Sequence, residues 1–186
     1  MADNNDGYVS VAEAAQIGIA PTFFSDLVQQ GLFSRVAKGL YIKRGYEKDD
    51  YYLLHYVYKK AVFGYHSSLY LQGVGEAPET PDLHLPLNYM TAGIPGANVR
   101  HLGKKEYGIG QSLSVTEKGN LVPCYDKERL FIDTIRQATS LGGKACKTTL
   151  LSLYKKGLSP ERLNQYAAEF GVAKELALAK TLLEIE

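Results

Sequence analysis

The chain has 186 residues, 45% of them apolar and 22% charged, an ordinary composition for one generous folded domain or two small ones. A net charge of +1 points to no class of partner, and no apolar run approaches the roughly 18 residues needed to span a bilayer. Cys124 and Cys146 form no CxxC pair, and His55, His66, His84 and His101 lack metal-ligand spacing, so no metal or cofactor is expected.

Distribution of charge says more than its sum. Arg35 to Arg44 holds four basic residues and no acid, and Lys127 to Arg162 holds eight basic against three acidic. Local positive stretches on a near-neutral chain suit a surface that seeks phosphate, since that attraction acts within about a Debye length. A solvated face is an equal reading of the second stretch.

Taken in chain order, Met1 to Gly7 has no basic region followed by an apolar run, so no signal peptide is read and a cytoplasmic protein is expected. Ser10-Val11-Ala12-Glu13 is a capping box that opens a helix through Ile17 with Val11, Ala14 and Ala15 inward. Gly18-Ile19-Ala20 makes a turn, and Pro21 suits the first position of a second helix running to about Gln30. Phe24, Leu27 and Val28 give that helix its buried face; Thr22, Ser25, Asp26 and Gln29 lie opposite. Two short strands, 32–36 and 40–42, flank Ala37-Lys38-Gly39. Helix, turn, helix and basic hairpin in that order predict a winged helix-turn-helix over residues 1–45.

Polar residues 45–50 predict a boundary, followed by a helix with Leu53, Leu54, Val57, Tyr58 and Ala61 on one face and a shorter one from His66 to Gln72. From Leu83 to about Leu121 the apolar period changes to two. Leu83, Leu85, Leu87 and Tyr89 alternate with polar neighbours and Pro86, which predicts a half-buried strand near a sheet edge. Further strands are expected at 98–102 and 111–116, with a hairpin turn at Glu117–Asn120. The tail predicts helices from Lys127 to about Thr139, from Ala145 to Lys156, from Ser159 to Gly171, and beyond it on Val172, Leu176, Ala179 and Leu183. The fold class is therefore α+β: the winged helix-turn-helix, then a mixed α/β C-terminal domain over 46–186 ending in a helical bundle.

Gly7-Tyr8-Val9-Ser10-Val11-Ala12-Glu13-Ala14-Ala15, Leu27-Val28-Gln29-Gln30-Gly31-Leu32 and, most specifically, Arg35-Val36-Ala37-Lys38-Gly39-Leu40-Tyr41 resemble the N-terminal domain of AbiEi-type antitoxins. Phe63 to Leu71 and Asp126 to Asp133 resemble later segments of that family. The resemblance implies an antitoxin that represses its own operon by binding inverted repeats in its promoter. It also implies a C-terminal domain that counteracts an AbiEii-type, nucleotidyltransferase-like toxin in abortive infection against phage, without a stable complex. A rival reading keeps DNA binding but replaces the antitoxin role with a ligand-responsive regulator. A nucleotidyltransferase gene immediately downstream favours the first; a solitary metabolic neighbour favours the second.

Candidate DNA contacts are Thr22, Ser25 and Gln29 on the outer face of the second helix, with Asp26 either accepting from cytosine or capping. Arg35, Lys38, Lys43 and Arg44 form the wing set for flanking phosphates or the minor groove. Tyr41 and Phe33 are expected to pack beneath it. A C-terminal basic set, Lys127, Arg129, Arg136, Lys144, Lys147, Lys155 and Lys156, is a candidate surface toward DNA or the toxin, although Arg129 at i, i+4 from Asp133 also fits a structural pair. His66-Ser67-Ser68 lacks a G-x-S-x-G setting and Gly108-Ile109-Gly110 lacks the third glycine of a dinucleotide fingerprint, so the expected chemistry is recognition rather than catalysis.

Overall fold

Ser10 closes its capping box: the Glu13 amide donates to Ser10 Oγ at 3.1 Å and the Ser10 amide to Glu13 Oε2 at 3.2 Å. This box joins a strand, β1 (Tyr8–Ser10), directly to a helix, α1 (Val11–Gln16). The computed structural model describes residues 6–89, 94, 96–138 and 142–185. Thr139, the expected end of one helix, lies outside the described residues.

After α1 come α2 (Phe23–Gln29), β2 (Phe33–Ala37), β3 (Leu40–Lys43) and α3 (Asp50–Val57). The three strands make an antiparallel sheet in the order β1-β3-β2. Period-two alternation splits its side chains between two covers. Tyr8, Leu40 and Ile42 pack against Tyr52, Leu53 and Tyr56 of α3, while Val9 shares a second cluster with Ala14 and Phe24.

Residues 45–50, expected as a polar boundary, are instead tied in at Asp49, which is 4% exposed. Its amide donates to the Tyr8 hydroxyl at 2.7 Å, and its Oδ1 accepts from the Tyr52 amide, which caps α3. Oδ2 accepts from Thr116 Oγ1 and from Asn120 Nδ2. Met1–Lys59 and Val115–Val122 accordingly make one compact unit. Val57 ends α3 half exposed, so the longer helix expected to reach Ala61 does not form.

The second unit comprises Lys60–Ser114 and Pro123–Glu186. It opens with β4 (Val62–Phe63), α4 (Tyr65–Leu71), β5 (Asp82–Pro86), β6 (Asn98–Leu102) and α5 (Lys104–Gly108). The hairpin of β7 (Gln111–Val115) and β8 (Leu121–Tyr125) follows, its turn end belonging to the first unit. Helices α6 (Lys127–Gln137), α7 (Lys144–Tyr154), α8 (Pro160–Phe170) and α9 (Ala173–Leu183) complete the chain.

In the β4-β5-β6 sheet, β5 is the central strand and pairs in parallel with β6. The expectation of an edge strand with His84 outward is thus corrected. Leu83 and Leu85 are fully buried and His84 is 8% exposed, because β5 is covered on both faces. Pro86 is tolerated because it is the last residue of the strand; the Leu87 amide donates to Leu102 O instead.

Helix α6 runs through the core, with Leu130, Phe131 and Ile132 all at 0% exposure and α7, α8 and α9 packed around it through Leu150, Leu153, Leu163, Ala167, Leu176 and Ala179. His66-Ser67-Ser68 serves packing: Ser68 Oγ donates to Phe63 O and accepts from the Tyr125 amide, and Ser67 Oγ accepts from the Asp82 amide. Among the described residues, no helix is long and apolar enough to cross a membrane.

Candidate nucleic-acid interface

Gly18, at φ +81°, turns the chain out of α1, and the amides of Ile17 and Ile19 both donate to Ala14 O. The path into α2 is a tight turn in which Phe23 and Phe24 donate to Ala20 O and Pro21 O. Helix α2 therefore starts at Phe23, two residues later than Pro21 suggested. Thr22 precedes it in helical backbone geometry, and its hydroxyl makes no capping bond.

Phe24 is the anchor of α2, 2% exposed and stacked on Tyr41 with ring centroids 4.7 Å apart. Leu27, Phe33 and Tyr41 pack in the same cluster, as expected for the last two. With only two turns and one fully buried side chain, α2 leaves most of its surface free. Thr22, Ser25, Asp26 and Gln29 are exposed, as are two apolar residues, Phe23 at 50% and Val28 at 38%. Val28 was expected on the buried face, and Ala15 of α1, expected inward, is also exposed. Phe23 was missed because an aromatic next to Phe24 reads as core; only its place one position off the Phe24–Leu27 face signals exposure.

The hairpin sets the positions of Arg35, Lys38, Lys43 and Arg44. Arg35 lies opposite Tyr41 and Lys43 opposite Phe33, so both stand on the sheet face that meets α2. A bulge between Arg35 and Ala37 and Gly39 at φ +74° bring Lys38 to the turn. Arg44 follows β3, its amide donating to Leu32 O. Along the hairpin Arg35 stands two register positions, about 7 Å, from Lys43, with Lys38 beyond it at the turn and Arg44 at the open end. Arg35 Nε donates to Ala37 O at 3.3 Å, and among the described residues no carboxylate pairs with Arg35, Lys38 or Arg44.

The C-terminal basic set is not a single surface. Arg129 is 1% exposed: its Nε donates to Asp133 Oδ2 at 2.8 Å and its Nη1 to the carbonyls of Glu106 and Ile109 at 2.7 Å. Its guanidinium lies between the rings of Tyr125 and Phe170. This is the structural pair with Asp133, and Arg129 leaves the candidate surface. Burial pushes the Asp133 carboxyl upward against the pull of Arg129 and Arg136. Arg136 is spoken for by Asp133 and Glu106, at 3.0 and 2.9 Å. Lys127 Nζ donates to Lys156 O, tying α6 to the end of α7. Lys144 and Lys147 sit in the first turn of α7 and Lys155 and Lys156 just beyond its last, which separates the two pairs by about 16 Å at 1.5 Å per residue.

Residues 2–42 match the model of a protein family described as transcriptional regulator, AbiEi antitoxin. The match runs from the N-terminal tail through both helices and most of the hairpin. No curated protein matches the chain.

Proposed function

We propose that the first unit is a winged helix-turn-helix that binds double-stranded DNA and that the chain is an antitoxin and transcriptional autorepressor. The observation that carries the reading is a coincidence of position. The segment matching the antitoxin regulators is the one in which α2 turns a polar face to solvent beside a hairpin whose Arg35 and Lys38 pair with no carboxylate among the described residues. In this reading Thr22, Ser25 and Gln29 meet base edges in the major groove, and Phe23 meets a thymine methyl. Arg35, Lys38, Lys43 and Arg44 hold flanking phosphates along the length of the hairpin.

The operator is an inverted repeat in the chain's own promoter. The second unit supplies the antitoxin activity, acting in the cytoplasm against a nucleotidyltransferase-like toxin during phage infection without a stable complex. Both jobs are recognition, and neither requires a cofactor.

The test has two arms. In the first, the full chain is titrated against the DNA immediately upstream of its gene and against a scrambled duplex, over a range of salt. Tight, salt-dependent preference for the upstream DNA is expected; equal affinity for both duplexes refutes operator binding. In the second, the chain is co-expressed with the neighbouring nucleotidyltransferase, and growth is the readout. Rescue by a DNA-binding-deficient variant such as Arg35→Ala/Lys38→Ala supports the division of labour, and loss of rescue in that variant refutes it.

A further inference from the structure

Between Glu13 and Glu47 the chain carries one acidic residue, Asp26, against four basic ones, Arg35, Lys38, Lys43 and Arg44. An acid in that company could neutralise a neighbouring cation, and it does not. Asp26 is exposed and, among the described residues, its carboxylate makes no ion pair and no hydrogen bond.

Its place on α2 is set by Phe24. At about 100° per residue, Asp26 lies about 200° round the helix from that buried ring. It stands on the outer face, with Thr22 one turn before it and Gln29 one turn after. Capping is closed as an explanation. A cap is the residue that precedes the helix, and Asp26 is the fourth residue of α2. An acid near a helix N-terminus is mildly stabilising, but that effect is indifferent to which DNA is bound.

On a face turned to a groove, a lone carboxylate is a liability, because every phosphate repels it. What offsets the repulsion is a base amino group, the one kind of donor that base edges present in the major groove. Guanine and thymine offer only acceptors there. Adenine sets its N7 acceptor beside its amino group, whereas cytosine offers the N4 amino group alone.

We infer that Asp26 selects a cytosine in each half of the operator. Its carboxylate accepts from the cytosine N4 amino group and is repelled by duplexes that put an acceptor at that position. The only acid of the segment thus weakens binding to DNA in general and restores it at one base. This rests on the DNA-binding reading of the first unit and adds to it the base read from the middle of α2.

Full-length wild type, Asp26→Ala and Asp26→Asn are titrated by fluorescence anisotropy against three kinds of duplex: the upstream DNA, a scrambled sequence, and upstream DNA with each C·G pair changed in turn to T·A or A·T. Wild type should lose about tenfold at one C·G pair of each half-site, the order of one base-specific contact. Asp26→Ala should bind the upstream duplex about tenfold more weakly and ignore changes at that pair. It should also bind the scrambled duplex about twofold more tightly, since a repelled charge is gone. Asp26→Asn should prefer adenine at the same position, because an amide matches the N6 and N7 edge of adenine. Thermal midpoints of both variants should stay within about 3 °C of wild type, as no partner is lost. Equal affinity of wild type for upstream and scrambled duplexes overturns operator binding and this inference with it. An upstream preference that Asp26→Ala keeps in full, or a loss that falls equally on both duplexes, overturns the inference alone.

Discussion

Replacing Arg35 and Lys38 together by alanine removes one cation of β2 and one at the turn of the hairpin and almost nothing else. Both side chains are exposed, and among the described residues the only hydrogen bond from either is the 3.3 Å contact of Arg35 Nε with Ala37 O. The change in folding stability should therefore stay within about 0.5 kcal/mol. On DNA the effect is larger and has a signature. Each phosphate contact contributes about 0.9 to the slope of log affinity against log salt, so losing two flattens the slope by about 1.8. Over a fourfold rise in salt, wild type and variant should converge by about tenfold. Fluorescence anisotropy on upstream and scrambled duplexes, at several salt concentrations, reads this directly. Because phosphates carry no sequence, both duplexes should lose affinity in parallel. Arg44→Ala, at the other end of the hairpin, should flatten the slope by about half as much. An unchanged slope in the double variant, or a loss confined to the upstream duplex, refutes the assignment of the hairpin to the DNA backbone.

The two phenylalanines of α2 should separate recognition from folding. Phe23→Ala should lower affinity for the upstream duplex alone, with urea unfolding shifted by no more than about 0.5 kcal/mol, whereas Phe24→Ala should cost about 3–5 kcal/mol and abolish all binding with the fold. Arg129→Ala should destabilise by about 3–5 kcal/mol in urea, since it strands the buried Asp133, while Lys155→Ala and Lys156→Ala are neutral; a neutral Arg129→Ala contradicts the buried pair. His84 predicts acid sensitivity. Burial, then Arg129 and Arg100, push its ordinary value of 6.5 down to about 4 in the folded chain, so the unfolded chain binds the extra proton between those values. Stability should then decline as pH drops from about 6.5 to about 4, by about 3 kcal/mol at 1.36 kcal/mol per pH unit. His84→Gln should flatten urea midpoints over that window, and an unaltered pH dependence rejects the neutral buried ring.

What was legible in the sequence is what neighbours in the chain decide. Ser10 with Glu13, Asp126 over α6, Ser159 before Pro160 and Gly171 at φ +70° each act within one helical turn, and each appears where its signal stands. Arg129 and Asp133 were readable as a pair for the same reason. The exposed polar row of α2 follows from the 3.6-residue period once Phe24 is fixed as core. Illegible features depend on distant partners. Strand β1 is three residues long, too short to show alternation, and exists because β3 pairs with it. The central place of β5 comes from β6, which pairs with it in parallel and closes its second edge. Nothing near Asp49 announces Tyr8, Thr116 or Asn120. Arg35, Lys38, Lys43 and Arg44 read as one cluster in sequence, and only the hairpin register shows how they spread from its turn to its open end.

The Asp49 network also decides how the division of labour can be examined. Cutting the chain at residue 45 looks natural from the polar run there, yet α3 would lose the sheet face formed by Tyr8, Leu40 and Ile42 and leave Tyr52, Leu53 and Tyr56 uncovered. Cutting after Lys59 instead strands Thr116 and Asn120, whose acceptor is the Asp49 carboxylate. Either fragment exposes apolar or polar groups that the whole chain satisfies, so its failure to rescue cells would report misfolding as readily as a lost function. Surface variants escape that ambiguity. Arg35, Lys38 and Arg44 have no ion pair to lose among the described residues, and a change there leaves the apolar clusters on both faces of the sheet intact. In a protein whose first unit borrows a hairpin turn from the middle of the chain, function is separated by charge at the surface, not by where the chain is cut.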